Sequence, residues 1–135
     1  MSMGEKSPIA ISNPVAAGKL ALAEALINLL PSGVSKLSDI KISANWMASP
    51  DNAQRKTDLF NTVKELTQKV CNPWRIAVPV GKDSLSMKTI WQKDKKTNLS
   101  PQSLIISAFT KIKNVKKSIT PQLIDNNELS LVYLD

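Results

Sequence analysis

The stretch from Pro14 to Leu30 constrains this chain more than any other, because its start, periodicity and end are all legible in the residues. Asn13 offers a side-chain oxygen to the first-turn N–H groups, Pro14 has the fixed φ that a first helical position wants, and Pro31-Ser32-Gly33 breaks the pattern. At about 100° per residue, Leu20, Leu22, Ala23, Leu26, Ile27 and Leu30 cover a broad arc, so this helix is expected to be buried on more than one side. Glu24 and Asn28 are the only polar side chains between Leu20 and Leu30, and at i and i+4 they point the same way at the edge of that arc.

Around this helix the other elements fall into place by period. Ser38 to Ser43, with Ile40 and Ile42 on one face, predicts a strand running into Asn45-Trp46-Met47. Leu59, Val63, Leu66 and Val70 predict a second helix from Gln54 to Cys71, ended by Asn72-Pro73. Ile76 to Val80 reads as a short apolar strand and Leu85 to Trp91 as an alternating one, with Gly81-Lys82-Asp83-Ser84 as the turn between them. Gln92 to Ser100 reads as a polar connection, and Leu104, Ile106, Ala108 and Ile112 mark a further strand. Val115 to Thr120 reads as a linker and Leu129 to Leu134 as an apolar strand that the chain's end leaves without a domain. The pattern predicts an α+β fold, a mixed sheet with helices on one face.

Several chemistries are excluded or disfavoured. The chain contains no histidine, which removes Ser-His-Asp and Cys-His pairs and the commonest zinc sets. Cys71, the single cysteine, has no internal disulfide partner and reads as a small buried apolar residue. The net charge of +7 raises the question of nucleic acid. Its whole excess lies between residues 88 and 117, which hold eight lysines, one aspartate and no arginine, with only Trp91 and Phe109 as aromatics. Nucleic-acid surfaces add arginine and stacking rings, so a solvated basic flank is the better reading. A chain of 135 residues at 42% hydrophobic suits one domain with a real core. With no signal-like N-terminus and no long apolar run, a soluble cytoplasmic location without membrane contact is the default.

The segment Pro79 to Met87 concentrates ligating residue types. Gly81 allows close approach of the backbone, Lys82 brings a positive charge, Asp83 a carboxylate and Ser84 a hydroxyl, which together suit a phosphate, its metal, or both. It is not a P-loop, since the Gly-rich cradle before Gly81-Lys82 is missing. An ordinary hairpin turn is the competing reading. For Glu24 and Asn28 the competing readings are magnesium ligation, which wants oxygen donors and few carboxylates, and simple hydrogen bonding to nearby backbone.

With Gly4-Glu5-Lys6-Ser7-Pro8 ahead of the helix, Ile42-Ser43-Ala44-Asn45-Trp46-Met47 after it, and Ser107-Ala108-Phe109 and Thr120-Pro121-Gln122-Leu123 further on, the chain resembles the long-form phosphoribosylformylglycinamidine synthase family over nearly its whole length. The resemblance implies a piece of the second synthase half. Residues 1–114 would be a domain like the amino-terminal one of aminoimidazole ribonucleotide synthetase, residues 115–128 a linker, and residues 129–135 the first strand of a following domain. It implies Glu24 and Asn28 as Mg2+ ligands, and Gly81, Lys82, Asp83, Ser84 and Asn45 as contacts to nucleotide or substrate phosphate. Lys82 stands where short-form relatives carry Asn, which favours a phosphate over a metal at that position. Ser49-Pro50-Asp51-Asn52-Ala53 replaces a longer glycine-rich acidic loop. Implied ligands are Mg2+, ATP or ADP, and formylglycinamide ribonucleotide, with ammonia from glutamine hydrolysed in a separate domain. Implied partners are the remaining domains of the full-length synthase and a homodimer through the sheet, with no nucleic acid and no membrane. The chain is expected to be inactive alone, and Glu24, Asn28 and the Gly81 segment are expected to converge on one magnesium nucleotide. The alternatives are a basic nucleic-acid-binding module using Lys93 to Lys117 and a non-catalytic assembly domain.

Overall fold

A computed structural model describes residues 1–93, 95–122, 130 and 133. The main elements are β1 (Ser2–Glu5), α1 (Pro14–Leu29), β2 (Lys41–Met47), α2 (Ala53–Leu66), β3 (Ala77–Ser84), β4 (Lys88–Trp91), β5 (Lys96–Leu99) and β6 (Ser103–Phe109). β1, β6, β2 and β3 form one sheet in that order. β6 runs antiparallel to both neighbours, and β2 pairs with β3 in parallel. β4 and β5 form a separate antiparallel hairpin. The result is an α+β domain with a mixed sheet and its helices on one face.

The core follows from alternation. Ile42 and Ala44 of β2 and Leu104, Ile106 and Ala108 of β6 share one sheet face and are buried against Ala21, Leu22, Ala25, Leu26 and Leu29 of α1. β1 lies close against α1 at Gly4, where a Cβ would stand 2.0 Å from the Ala21 carbonyl oxygen and 2.5 Å from the Ala25 nitrogen. Only a residue without a side chain lets β1 lie that close to α1. The opposite face of the sheet leaves Met3, Val80 and Phe109 exposed.

α1 begins where the sequence predicts, with the Asn13 side chain accepting from the Ala16 N–H at 3.0 Å. Burial on it is narrower than the apolar arc implies: the buried positions lie on one half of the helix, while Leu20, Ile27 and Leu30 are exposed. Pro14–Ser32 is long and apolar enough by composition to span a bilayer, yet here its buried half forms the centre of the core.

Several boundaries differ from the sequence reading. β1 has no pattern to announce it: it is four residues long and exists because tertiary contacts hold it. α2 gives way at Thr67–Cys71 to a π-turn, and Asn72-Pro73, expected to end the helix, instead sits in a last helical turn over Asn72–Trp74. The chain leaves the helix at Arg75, whose φ is 56°. The Gly81–Ser84 turn is not a turn, because β3 runs straight through it to Ser84. Pairing with Ala44 to Met47 of β2 keeps these residues extended. The polar connection from Gln92 to Ser100 contains β5, and β6 stops at Phe109 rather than near Ile112. Within the linker, Val115–Lys117 forms a 3-10 turn and the Ile119 N–H donates to the Pro31 carbonyl at 2.7 Å. The strand expected over Leu129–Leu134, and the domain it would begin, lie outside the described residues.

Candidate functional site

The sequence-predicted site residues divide between the two edges of the sheet. At the β1 edge, Glu24 Oε1 accepts from Lys6 Nζ at 2.6 Å and Glu24 Oε2 from the Glu5 N–H at 2.8 Å. One turn further along α1, Asn28 Nδ2 donates to the Met3 carbonyl at 3.0 Å, and nearer by, Ser2 Oγ donates to the Ala25 carbonyl at 2.5 Å. The hydrogen bond from Lys6, the Glu5 N–H and the Lys6 charge together hold the Glu24 carboxyl below the ordinary glutamate range, against a smaller opposing effect of burial.

This geometry bears directly on magnesium. Mg2+ binds through oxygen donors, usually one or two carboxylates with water and phosphate. Here both oxygens of Glu24 already accept hydrogen bonds, one of them from an ammonium, and Asn28 turns its N–H toward the strand. Among the described residues no group of three or more His, Cys, Asp or Glu side chains is placed to hold a metal ion. As arranged, the pair does not fit a Mg2+ ion.

At the other edge, Asn45 pairs with Lys82, Trp46 with Asp83 and Met47 with Ser84 across the β2–β3 ladder. The structure therefore brings Asn45, Gly81, Lys82, Asp83 and Ser84 together. Because the segment is strand rather than turn, its side chains alternate: Lys82 and Ser84 leave one face, Gly81 and Asp83 the other. Lys82 Nζ donates to Ser84 Oγ at 2.6 Å, on the same face as Asn45. Asn45 Oδ1 is buried and accepts from nothing. On the helix-facing side, Gly81, Lys82 and Asp83 border a cavity of about 290 Å3 with Trp46, Leu59 and Val63. Trp46 packs against the core, in keeping with a packing role. Gly81 has no left-handed φ, and a Cβ there would meet nothing within 4 Å, so the fold itself does not require glycine at this position.

The two groups do not converge. Glu5, which Glu24 holds, pairs with Ile105, Ile105 with Asn45, and Asn45 with Lys82. Three strand spacings along that row put about 14 Å between the two edges. The expectation of one magnesium nucleotide shared by Glu24, Asn28 and Gly81 fails on this topology, since four-strand order sets β1 and β3 at opposite ends.

Sequence reasoning missed Lys6, the partner of Glu24, because nothing announces β1. A larger cavity of about 600 Å3 near the starts of α1 and α2 was also not foreseen; Ser12, Ser49, Arg55, Asp58 and Gln102 are among its lining residues. There Arg55 is committed to backbone, donating to the Ser100 carbonyl at 2.9 Å. The lysines after β3 are divided: Lys88, Lys93, Lys95 and Lys96 belong to the hairpin and its turn, whereas Lys111 to Lys117 follow β6 at the opposite end of the sheet.

Residues 1–111 match the family model described as the FGAR-AT PurM_N-like domain. The fold is similar to that of phosphoribosylformylglycinamidine synthase II from Thermotoga maritima, known from a crystal structure at 2.15 Å resolution, with a TM-score of 0.65 and 20% sequence identity. That similarity covers 89% of this chain and 18% of the other, so a small part of the larger protein corresponds to this one.

Proposed function

This chain belongs to the FGAR-AT PurM_N-like domain family, and from that premise we propose that it serves as one domain of a phosphoribosylformylglycinamidine synthase, using its β3 edge to contact the phosphates of ATP, ADP or formylglycinamide ribonucleotide. The observation that carries this reading is Asn45 Oδ1, a buried acceptor without a donor, beside the Lys82–Ser84 pair of β3, a strand whose outer edge no other strand covers among the described residues. Buried polar atoms are nearly always satisfied, so an unpaired one invites a ligand donor such as a ribose hydroxyl or an amino group.

On this reading Lys82 supplies positive charge to a phosphate and Ser84 Oγ a hydrogen bond on the face they share with Asn45, while Gly81 leaves the other face of the strand free of a side chain. The complete reaction is ATP-dependent ligation, in which the amide oxygen of formylglycinamide ribonucleotide is activated and ammonia from glutamine displaces the activated oxygen. The residues of this chain bind and orient; the remaining domains of the synthase supply the rest, in the cytoplasm. With no histidine, the chain has no imidazole base for glutamine hydrolysis, and on this reading turnover requires those other domains. The bare sheet face bearing Met3, Val80 and Phe109 supports pairing with another copy or with the other synthase half.

Calorimetric titration of the chain with ADP, comparing wild type with Asn45→Ala and Lys82→Ala, tests the site. Weakened binding in both variants supports it. Unchanged affinity in both removes the β3 edge from the function.

A further inference from the structure

We infer that Lys6 is the resident cation of the Glu24–Asn28 pair, and that the pair acts as a clip reading the outer edge of β1 from which Lys6 excludes a free divalent metal. This stands apart from the reading of the β3 edge and survives if that reading fails.

The argument begins with the edge. Among the described residues β1 pairs only with β6, so the backbone groups on its other side would be left to solvent or to a stray strand. Of these, the Met3 carbonyl takes a donor from Asn28 Nδ2 and the Glu5 N–H an acceptor from Glu24 Oε2. The spacings match. Two residues along a strand span about 6.8 Å, and four along a helix about 6 Å, so an acceptor and a donor one helical turn apart can meet a N–H and a C=O two strand residues apart. The orientation matches as well: carboxylate meets N–H and amide N–H meets carbonyl, so each atom type has its complement. A magnesium pair would offer the ion one Glu24 oxygen and the Asn28 amide oxygen; here Glu24 Oε1 holds the Lys6 ammonium and the Asn28 amide donates to the strand instead.

Lys6 completes the arrangement. Its ammonium lies 2.6 Å from Glu24 Oε1 and neutralises the carboxylate that the helix presents. A Mg2+ ion bound to that oxygen at its usual distance of about 2.1 Å would sit within about 5 Å of the ammonium. Two like charges at that separation, one of them divalent, repel strongly even near a protein surface. Metal and Lys6 therefore compete for Glu24.

The test uses Mn2+ as a paramagnetic stand-in for Mg2+ with the full chain, read by amide NMR, in wild type, Lys6→Met and Lys6→Arg. Wild type and Lys6→Arg are expected to show no saturable broadening at Glu5, Glu24 and Asn28. Lys6→Met is expected to gain it, with affinity raised by about tenfold or more, the scale of removing a neighbouring unit charge. Amide exchange at Glu5 should stay slow in the metal-free Lys6→Met protein, because the Glu24 bond to that N–H remains, which separates a local charge effect from loss of β1. Saturable broadening in wild type equal to that in Lys6→Met overturns the inference. So does its absence in all three proteins, since Lys6 would then have nothing to exclude.

Discussion

Gly4 and Gly81 stand at the two ends of a single row across the sheet, linked through Ile106 and Ala44, and they face opposite circumstances. Around Gly4 the α1 backbone leaves no space, and the polar groups nearby are matched by Ser2, Glu24 and Asn28. Around Gly81 there is open space, a strand edge uncovered among the described residues, an exposed Lys82 and a buried acceptor on Asn45 with no donor. One end of the row is finished as structure and the other is left unfinished. The difference teaches where a ligand belongs: a site needs unsatisfied groups, and the β1 edge has used its own.

Replacing the two glycines is the sharpest way to break this contrast. Gly4→Ala puts a methyl group 2.0 Å from a backbone oxygen, so the strand must move off the helix, and a loss of about 3 kcal/mol is expected, the scale of an overpacked core. Gly81→Ala meets nothing and should leave stability within about 0.5 kcal/mol of wild type. Chemical denaturation midpoints measure both. Similar losses from the two substitutions would show that the edges are alike after all.

The same row explains what could be read in advance. α1 was legible because Asn13-Pro14, its apolar residues and Gly33 act locally; the cap oxygen and the left-handed Gly33, φ 78°, are where those residue types predict them. The core alternation of Ile40, Ile42, Leu104, Ile106 and Ala108 was legible for the same reason. The Gly81 segment was misread because Gly-Lys-Asp-Ser carries turn composition, and only the ladder with β2 makes it a strand. β1 was invisible: a run of Ser, Met, Gly and Glu has no period, and its place depends on contacts with residues far along the chain. Grouping Glu24 with Gly81 failed for that reason, since the edge that Glu24 serves could not be seen.

A second, smaller contrast comes from charge. Lys82→Ala should cost about tenfold in ADP affinity, about 1.4 kcal/mol, with little change in stability, because the Lys82 side chain is exposed and its one short contact is to Ser84. Lys6→Ala should leave ADP affinity as it was, since Lys6 serves the other edge. Calorimetry distinguishes them, and an equal loss of affinity in both proteins would argue for one shared site. Asn28→Ala removes the bond to the Met3 carbonyl and should cost about 1 kcal/mol or less, seen as faster amide exchange in β1 with β3 unchanged.

The mildest test is acid. Lys6 and the Glu5 N–H lower the Glu24 pKa in the folded chain below its ordinary value of 4.5. A carboxylate depressed by folding contributes stability above its unfolded pKa and loses it as pH falls through the folded value. The clip should therefore be intact at neutral pH and weaken only below about pH 4.5, with amide exchange at Glu5 accelerating relative to Lys82 over that range. In Lys6→Met the Glu24 titration should move up toward the ordinary value, because the largest cause of its depression is gone. A Glu24 carboxyl that titrates at the same pH with and without Lys6 would mean that the ammonium does not hold it, and the β1 edge would then be as open to a cation as the sequence alone suggested.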